Sequence, residues 1–121
     1  MKITLPLPPN MANSRMHWRV KQNRKKAYWE ACSIYSVIEA HIYEAMADPP
    51  AKAKVRATIY CGGRMDHDNA LARLKWPIDW LVEGKILVGD KPSQLEWHWP
   101  VEQVVKRKQQ YRVEFEITEA A

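Results

Sequence analysis

The chain changes its period between Lys52 and Asn69, and that change constrains the fold more than any other stretch. From Lys52 to Cys61, Val55, Ala57, Ile59 and Cys61 alternate with Lys54, Arg56, Thr58 and Tyr60, the pattern of a strand with one buried face. Gly62-Gly63 ends it. From about Asn69 to Glu83 the spacing turns helical, with Leu71, Leu74, Ile78, Leu81 and Val82 on one side. Between the two lies Arg64-Met65-Asp66-His67-Asp68-Asn69. In an extended or turn backbone alternate side chains share a side, so Asp66 and Asp68 can converge on one point; inside a helix they cannot. The strand must therefore end, and the helix must not yet have begun, at the pair. A third carboxylate, Asp90, follows a second glycine turn, Val88-Gly89-Asp90. Three hard oxygen ligands held on turns suit Mg²⁺ or Mn²⁺, and the chain offers no thiolate or histidine cluster for zinc. Each acid also has a plainer role, Asp66 or Asp68 as a helix N-cap and Asp90 as a turn residue before Pro92.

The other elements follow in order. Lys2 to Leu7 is a short strand with Ile3 and Leu5 inward, ended by Pro6, Pro8 and Pro9. Asn10 to His17 is an ordered loop holding Asn13, Arg15 and His17. From Trp18 a helix runs to Pro49-Pro50, with Tyr28, Ala31, Tyr35, Ile38, Ile42 and Ala45 as its apolar stripe. Pro77 kinks or splits the second helix, and Gly84 is its C-cap. Ser93 to Val101 is a third strand with Leu95, Trp97, Trp99 and Val101 on one face. Lys106-Arg107-Lys108 lies near a hairpin connection to a fourth strand, where Tyr111, Val113, Phe115 and Ile117 alternate. The order β-α-β-α-β-β makes a single α+β domain, a small mixed four-stranded sheet packed against two helices. Strands joined by a crossover helix run parallel, and the last pair forms an antiparallel hairpin.

At 121 residues the chain has room for one modest core. No apolar run approaches the roughly 18–20 residues of a membrane span, and Met-Lys-Ile-Thr-Leu-Pro lacks the features of a secretory signal, which points to the cytoplasm. Cys32 and Cys61 read as small buried hydrophobes. The net charge of +5 favours an anionic partner, nucleic acid first. Arg15, Arg19, Lys21, Arg24, Lys25 and Lys26 gather at the start of the first helix without an interleaved acid. Such a run repels itself unless phosphates or water receive it. Most of the six tryptophans belong to the core or to an interface, while an exposed one can stack on a base.

Taken together, Leu5-Pro6-Leu7-Pro8-Pro9 with Asn13 soon after, the basic start of the first helix, Asp66-His67-Asp68-Asn69 and Val88-Gly89-Asp90 resemble the RusA-type Holliday junction resolvases. The resemblance covers nearly the whole of residues 1–121 in order and length, and the Asp-x-Asp-Asn with a later Asp is its most specific part. It implies a homodimeric, Mg²⁺-dependent endodeoxyribonuclease, with Mn²⁺ as a substitute, that resolves four-way DNA junctions by symmetric nicks in recombination and repair. The family's metal-binding catalytic aspartates map onto Asp66, Asp68 and Asp90. Its functional lysine falls on Ala72 by direct count; counting back from Asp79 and Leu81 places Lys75 there, with Arg73 as the alternative. Gly89 stands where the family often has another acid.

The chemistry is coherent on the residues themselves. A divalent ion on Asp66, Asp68 and Asp90 can polarise a phosphodiester and activate a water, and Lys75 can stabilise the developing charge. Asn69 caps the helix or orients an aspartate, and His67 points away from the pair, toward solvent or DNA. Phosphate contacts are expected from Asn13, Arg15, Arg19, Arg24, Lys25, Lys26, Arg64 and Arg73, and from the Lys106–Lys108 run. Competing readings are a non-catalytic nucleic-acid-binding module, a metal-dependent nuclease acting on flaps, single strands or RNA, and a protein-interaction domain.

Overall fold

The alternation from Lys52 to Cys61 is realised in β2 (Ala53–Cys61), where Ala53, Val55, Ala57, Ile59 and Cys61 are buried and the residues between them face outward. The computed structural model describes residues 2–9, 17–38 and 49–120, the side chains of 35–38 excepted. Its other elements are β1 (Lys2–Leu5), α1 (Trp18–Ile38), α2 (His67–Arg73), α3 (Lys75–Glu83), β3 (Leu95–Trp97), β4 (Glu102–Val105), a 3-10 turn at Lys108–Gln110 and β5 (Arg112–Glu119). Ile42 and Ala45 of the expected α1 stripe lie outside the described residues; Tyr28 and Cys32 are buried.

β5 lies between β1 and β2, antiparallel to both, with Phe115 opposite Ile3 on one side and Ala57 on the other. β3 and β4 both pair parallel to β2, β3 at its start (Leu95 opposite Ala53) and β4 at its end (Val105 opposite Cys61). The expected mixed α/β architecture is present, with parallel pairing across the α2–α3 crossover. The sheet has five strand segments rather than four, however, and no terminal hairpin. Instead of pairing with the strand before it, β5 crosses β2 and inserts beside β1. Val113 and Phe115 are fully buried and Ile117 nearly so, which a central strand shields from both sides.

The third expected strand is broken at Pro100, which has no N–H to give a ladder. The Trp99–Pro100 peptide is cis, and Trp99 turns outward, 53% exposed, instead of sharing the inner face with Leu95. The second expected helix is split at Leu74, not Pro77. Pro77 is the third residue of α3, where a missing N–H is one of the helix's orphans and costs nothing.

The helices cover one face of the sheet. Tyr28 donates its hydroxyl to the Pro6 carbonyl (2.7 Å), and Trp29 Nε1 donates to the Trp76 carbonyl (3.3 Å), joining α1 to the β1 exit and to α3. Cys32 and Cys61 are free and buried, as expected. The opposite sheet face carries ion pairs: Arg56 on Glu102, and Arg112 on Glu114 (2.9 Å) with its guanidinium 3.8 Å from the Tyr60 ring centroid. The Arg112 hydrogen bond holds the Glu114 carboxyl below its ordinary range. Such exposed pairs contribute up to about 1 kcal/mol each.

α3 ends in a Schellman turn: Ile86 N–H reaches the Leu81 carbonyl (2.9 Å) and Lys85 N–H the Val82 carbonyl (3.0 Å). Gly84 is the C-cap, as expected, but its φ is −78°; the left-handed position belongs to Lys85, φ 61°. A side chain there is strained by about 1 kcal/mol. Lys85→Gly is expected to raise stability by roughly 0.5–1 kcal/mol, or Tm by about 2–5 °C, in a thermal melt.

Burial pushes the Cys32 thiol from its ordinary 9 up to about 11, and burial also raises the Tyr28 hydroxyl. An acid raised in the folded state is ionised first in the unfolded chain. Stability is therefore held below pH 9 and falls as pH rises toward 11. Urea denaturation across that window is expected to show the loss, and Cys32→Ala to reduce it, leaving the share that Tyr28 carries above pH 10.

Candidate active site

The turn carrying the first two aspartates is built by β2 and β4 together. At the end of β2 the Cys61 thiol donates to the Gly63 carbonyl at 3.0 Å. A Cβ at Gly62 would meet the Tyr111 hydroxyl, so this close approach requires glycine or a displaced ring. Gln103 of β4 then grips Met65: its Oε1 accepts from the Met65 N–H (2.8 Å) and its Nε2 donates to the Met65 carbonyl (2.9 Å). Two residues further on, His67 Nε2 accepts the Val101 N–H at 3.3 Å, and its ring lies 4.9 Å from that of Trp99. One short segment, Val101 to Gln103, thus anchors both neighbours of Asp66. His67, expected to point toward solvent or DNA on an extended backbone, is instead the first residue of α2 and half-buried, engaged by the β3–β4 link.

α2 begins at His67, earlier than the expected Asn69, because the Ala70 N–H already bonds the Asp66 carbonyl at 2.9 Å. Asp66 is therefore the N-cap residue, Asp68 lies in the first turn, and Asn69 is inside the helix instead of capping it. The requirement that the helix start after both acids is not met. Asp66 has φ −57° and ψ 150°, yet its side chain makes no capping bond. Asp66, Asp68 and Asp90 are all exposed. No three His, Cys, Asp or Glu side chains among the described residues stand close enough to hold one metal ion, so the three aspartates are not brought together as a single ligand group.

Asp90 belongs to a cleft of about 210 Å³ whose floor is Leu71, Leu74, Ile78, Leu95 and Trp97 and whose polar rim is Lys75, Asp79 and Asp90. Asp68 precedes Leu71 by three residues on α2, so it stands one turn from this floor. Lys75, the first residue of α3, is 70% exposed with Nζ 3.8 Å from Asp79 Oδ2. Arg73 is placed differently: half-buried, its Nε donates to the Pro8 carbonyl at 2.8 Å, and burial pulls its pKa below the ordinary value.

The cations of α1 divide into tied and free. Lys25 bonds Asp79 at 3.2 Å and lies 4.9 Å from the Trp29 ring centroid. Arg19 stands 5.4 Å from the ring centroid of the exposed Trp18, and its N–H bonds His17 Nδ1 (3.2 Å). Arg24 and Lys26 are exposed, as are Arg64 in the acidic turn and Lys106 to Lys108. Asn13 and Arg15 lie outside the described residues. Of the tryptophans, Trp80 is buried, Trp29, Trp76 and Trp97 are half-buried, and Trp18 and Trp99 are exposed. Sequence reasoning missed Gln103, an ordinary polar strand residue whose pairing with Met65 no local pattern announces, and the junction role of Asp79.

The donor set suits the chemistry of Mg²⁺, which keeps several waters and takes one or two carboxylates: Asp66 and Asp68 are solvent-facing and have no protein partner among the described residues. No helix among the described residues is long and apolar enough to cross a membrane. No protein-family model matches the chain, and no curated protein matches it either.

Gln103→Leu leaves the Met65 N–H and carbonyl without their partners in a half-buried turn. It is expected to lower stability by about 1–3 kcal/mol in urea titration, and Gln103→Glu, which keeps the acceptor, by less.

Proposed function

We propose that residues 1–121 form a RusA-type, metal-dependent endodeoxyribonuclease that resolves four-way DNA junctions by symmetric paired nicks, as a cytoplasmic homodimer. The observation that carries this reading is Asp66: it occupies a helix N-cap, yet its carboxylate makes no cap bond and faces solvent. Its backbone is held by Gln103 on one side and His67 on the other, so the plainer role of the acid is left unfilled.

In this reading Asp66 and Asp68, at the N-cap and in the first turn of α2, would hold the ion with waters completing its shell, and Asp90 on the cleft rim is the third acid that the resemblance implies. A bound Mg²⁺ or Mn²⁺ supplies Lewis-acid stabilisation and a water of lowered pKa. Lys75, rather than Arg73, stabilises charge on the nonbridging phosphate oxygens, since Arg73 is occupied at Pro8. The net charge of +5 favours the DNA backbone, and the exposed Arg24, Lys26 and Arg64 receive phosphates. A two-fold dimer matches the symmetry of a four-way junction and sets one site against each of two strands.

A labelled four-way junction, incubated with Mg²⁺, Mn²⁺ or EDTA beside linear duplex and single-strand controls, tests the proposal. Paired nicks that require metal and drop by about 100-fold or more in Asp66→Asn and Asp68→Asn are expected. Tight junction binding with no cleavage under either metal would leave a non-catalytic binding module instead.

A further inference from the structure

The rim of the cleft beside Asp90 joins two helices through one carboxylate. Asp79 of α3 receives Lys25 of α1 at 3.2 Å and Lys75 of α3 at 3.8 Å, both on Oδ2. We propose that Lys25 and Lys75, held by Asp79, form a two-lysine clamp for a single phosphodiester group of the bound strand. The proposal rests on the nucleic-acid reading above and adds to it where that strand is gripped.

Three observations converge on it. First, two ammonium groups share one carboxylate oxygen, so the three charges leave one positive charge uncompensated, which an anion can take up. Second, Lys25 is pre-set: its side chain is 25% exposed, with Nζ over the Trp29 ring at 4.9 Å, whereas Lys75, at 70%, stays open to solvent and ligand. A long, flexible side chain ordered before binding loses less entropy when the ligand arrives. Third, the adjoining cleft of about 210 Å³ has an apolar floor of Leu71, Leu74, Ile78, Leu95 and Trp97 beneath this charged rim. Such a surface can take the sugar or base of one nucleotide while its phosphate meets the lysines. Asp90, the remaining rim charge, has no partner among the described residues and is the acid assigned above to the metal.

An exposed i,i+4 pair such as Lys75–Asp79 does little for the fold. Lys25–Asp79 does link α1 to α3, so Asp79 is a positioning residue that sets both ammonium groups.

The test is anisotropy of a fluorescent four-way junction in EDTA, where no cleavage intervenes, titrated across salt concentrations. Each phosphate neutralised contributes about 0.9 to the slope of log K against log salt. The homodimer carries two such clamps, so if both lysines of a protomer serve one phosphate, the Lys25→Met/Lys75→Met double variant lowers the slope by about 1.8, and neither single variant exceeds that. A loss near twice that value, or none, overturns the clamp. Thermal melts establish that each variant is folded, and Lys75→Met alone, at an exposed position, gives the slope without touching the α1–α3 link.

With metal present, Asp79→Asn is expected to cut kcat by about tenfold while the salt slope falls, and Asp79→Glu to restore much of both. Tighter binding with unchanged kcat in Asp79→Asn would mean that the acid merely opposes DNA, and would overturn its positioning role. Wild-type protein that binds no DNA removes the nucleic-acid reading and the clamp with it. Wild-type protein that binds but never nicks removes only the nuclease reading, and the slope still decides the clamp.

Discussion

The pairing of β5 with β2 is the contact on which the rest of the structure depends. Eight register pairs run from Ala53–Glu119 to Tyr60–Arg112, and their inward residues bring Val113, Phe115 and Ile117 against Val55, Ala57 and Ile59. Fully burying a side chain of this kind contributes about 1.5–3 kcal/mol. Each exposed ion pair on the other face contributes at most about 1 kcal/mol. The apolar face therefore sets the sheet, and the charged ladder of Arg56, Glu102, Arg112 and Glu114 accompanies it. Once β5 is seated, its free edge takes β1, which leads through Pro6 and Pro8 to Tyr28 and Arg73. The free edge of β2 takes β3 and β4.

That second edge governs the candidate site. β4 is only four residues long, yet it pairs with the end of β2 and holds the chain that leaves it. Gln103 substitutes a side-chain amide for a further strand by giving Met65 both a donor and an acceptor. Val101 gives a backbone N–H to His67. Rigidity is supplied to the acidic turn by neutral groups, and the carboxylates take no part in it. A turn that depended on Asp66 for its own cap would leave that acid nothing for a ligand.

Charge is distributed with similar economy. Arg56, Arg112, Lys25 and Arg73 each have a protein partner, and each ties two parts of the fold or stiffens a strand. Arg24, Lys26, Arg64 and Lys106 to Lys108 are exposed. This division separates cations tied within the fold from those open to solvent, and Lys25, although tied to Asp79, is also the one assigned above to the proposed clamp. The same division explains why the run of cations on α1 does not act as a unit: Lys25 faces α3 and its neighbours face solvent.

Local periodicity was enough to locate β2, the inner faces of β1 and β5, the first helix and the helical segment after the acids, though not the place where that segment divides, because burial repeats every two residues in a strand and every 3.6 in a helix. It also marked Asp66 as standing where one period gives way to the next, while Asp68, expected on the same turn, lies in the first turn of α2. It left the place of β5 undecided, since alternation says which face is buried and not which strand supplies the hydrogen bonds at each edge. The same limit hid the break at Pro100, the start of α2 at His67, the grip of Gln103 on Met65 and the sharing of Asp79 by two lysines. For the last two the deciding partner is far along the chain, Gln103 lying 38 residues from Met65 and Lys25 54 residues from Asp79, whereas Pro100 and the Ala70 bond to the Asp66 carbonyl act locally. The sequence by itself determined the elements and their apolar faces, because those follow from neighbours along the chain. Only the tertiary structure decided strand order and which charges remain free, because hydrogen bonds and ion pairs are completed across it.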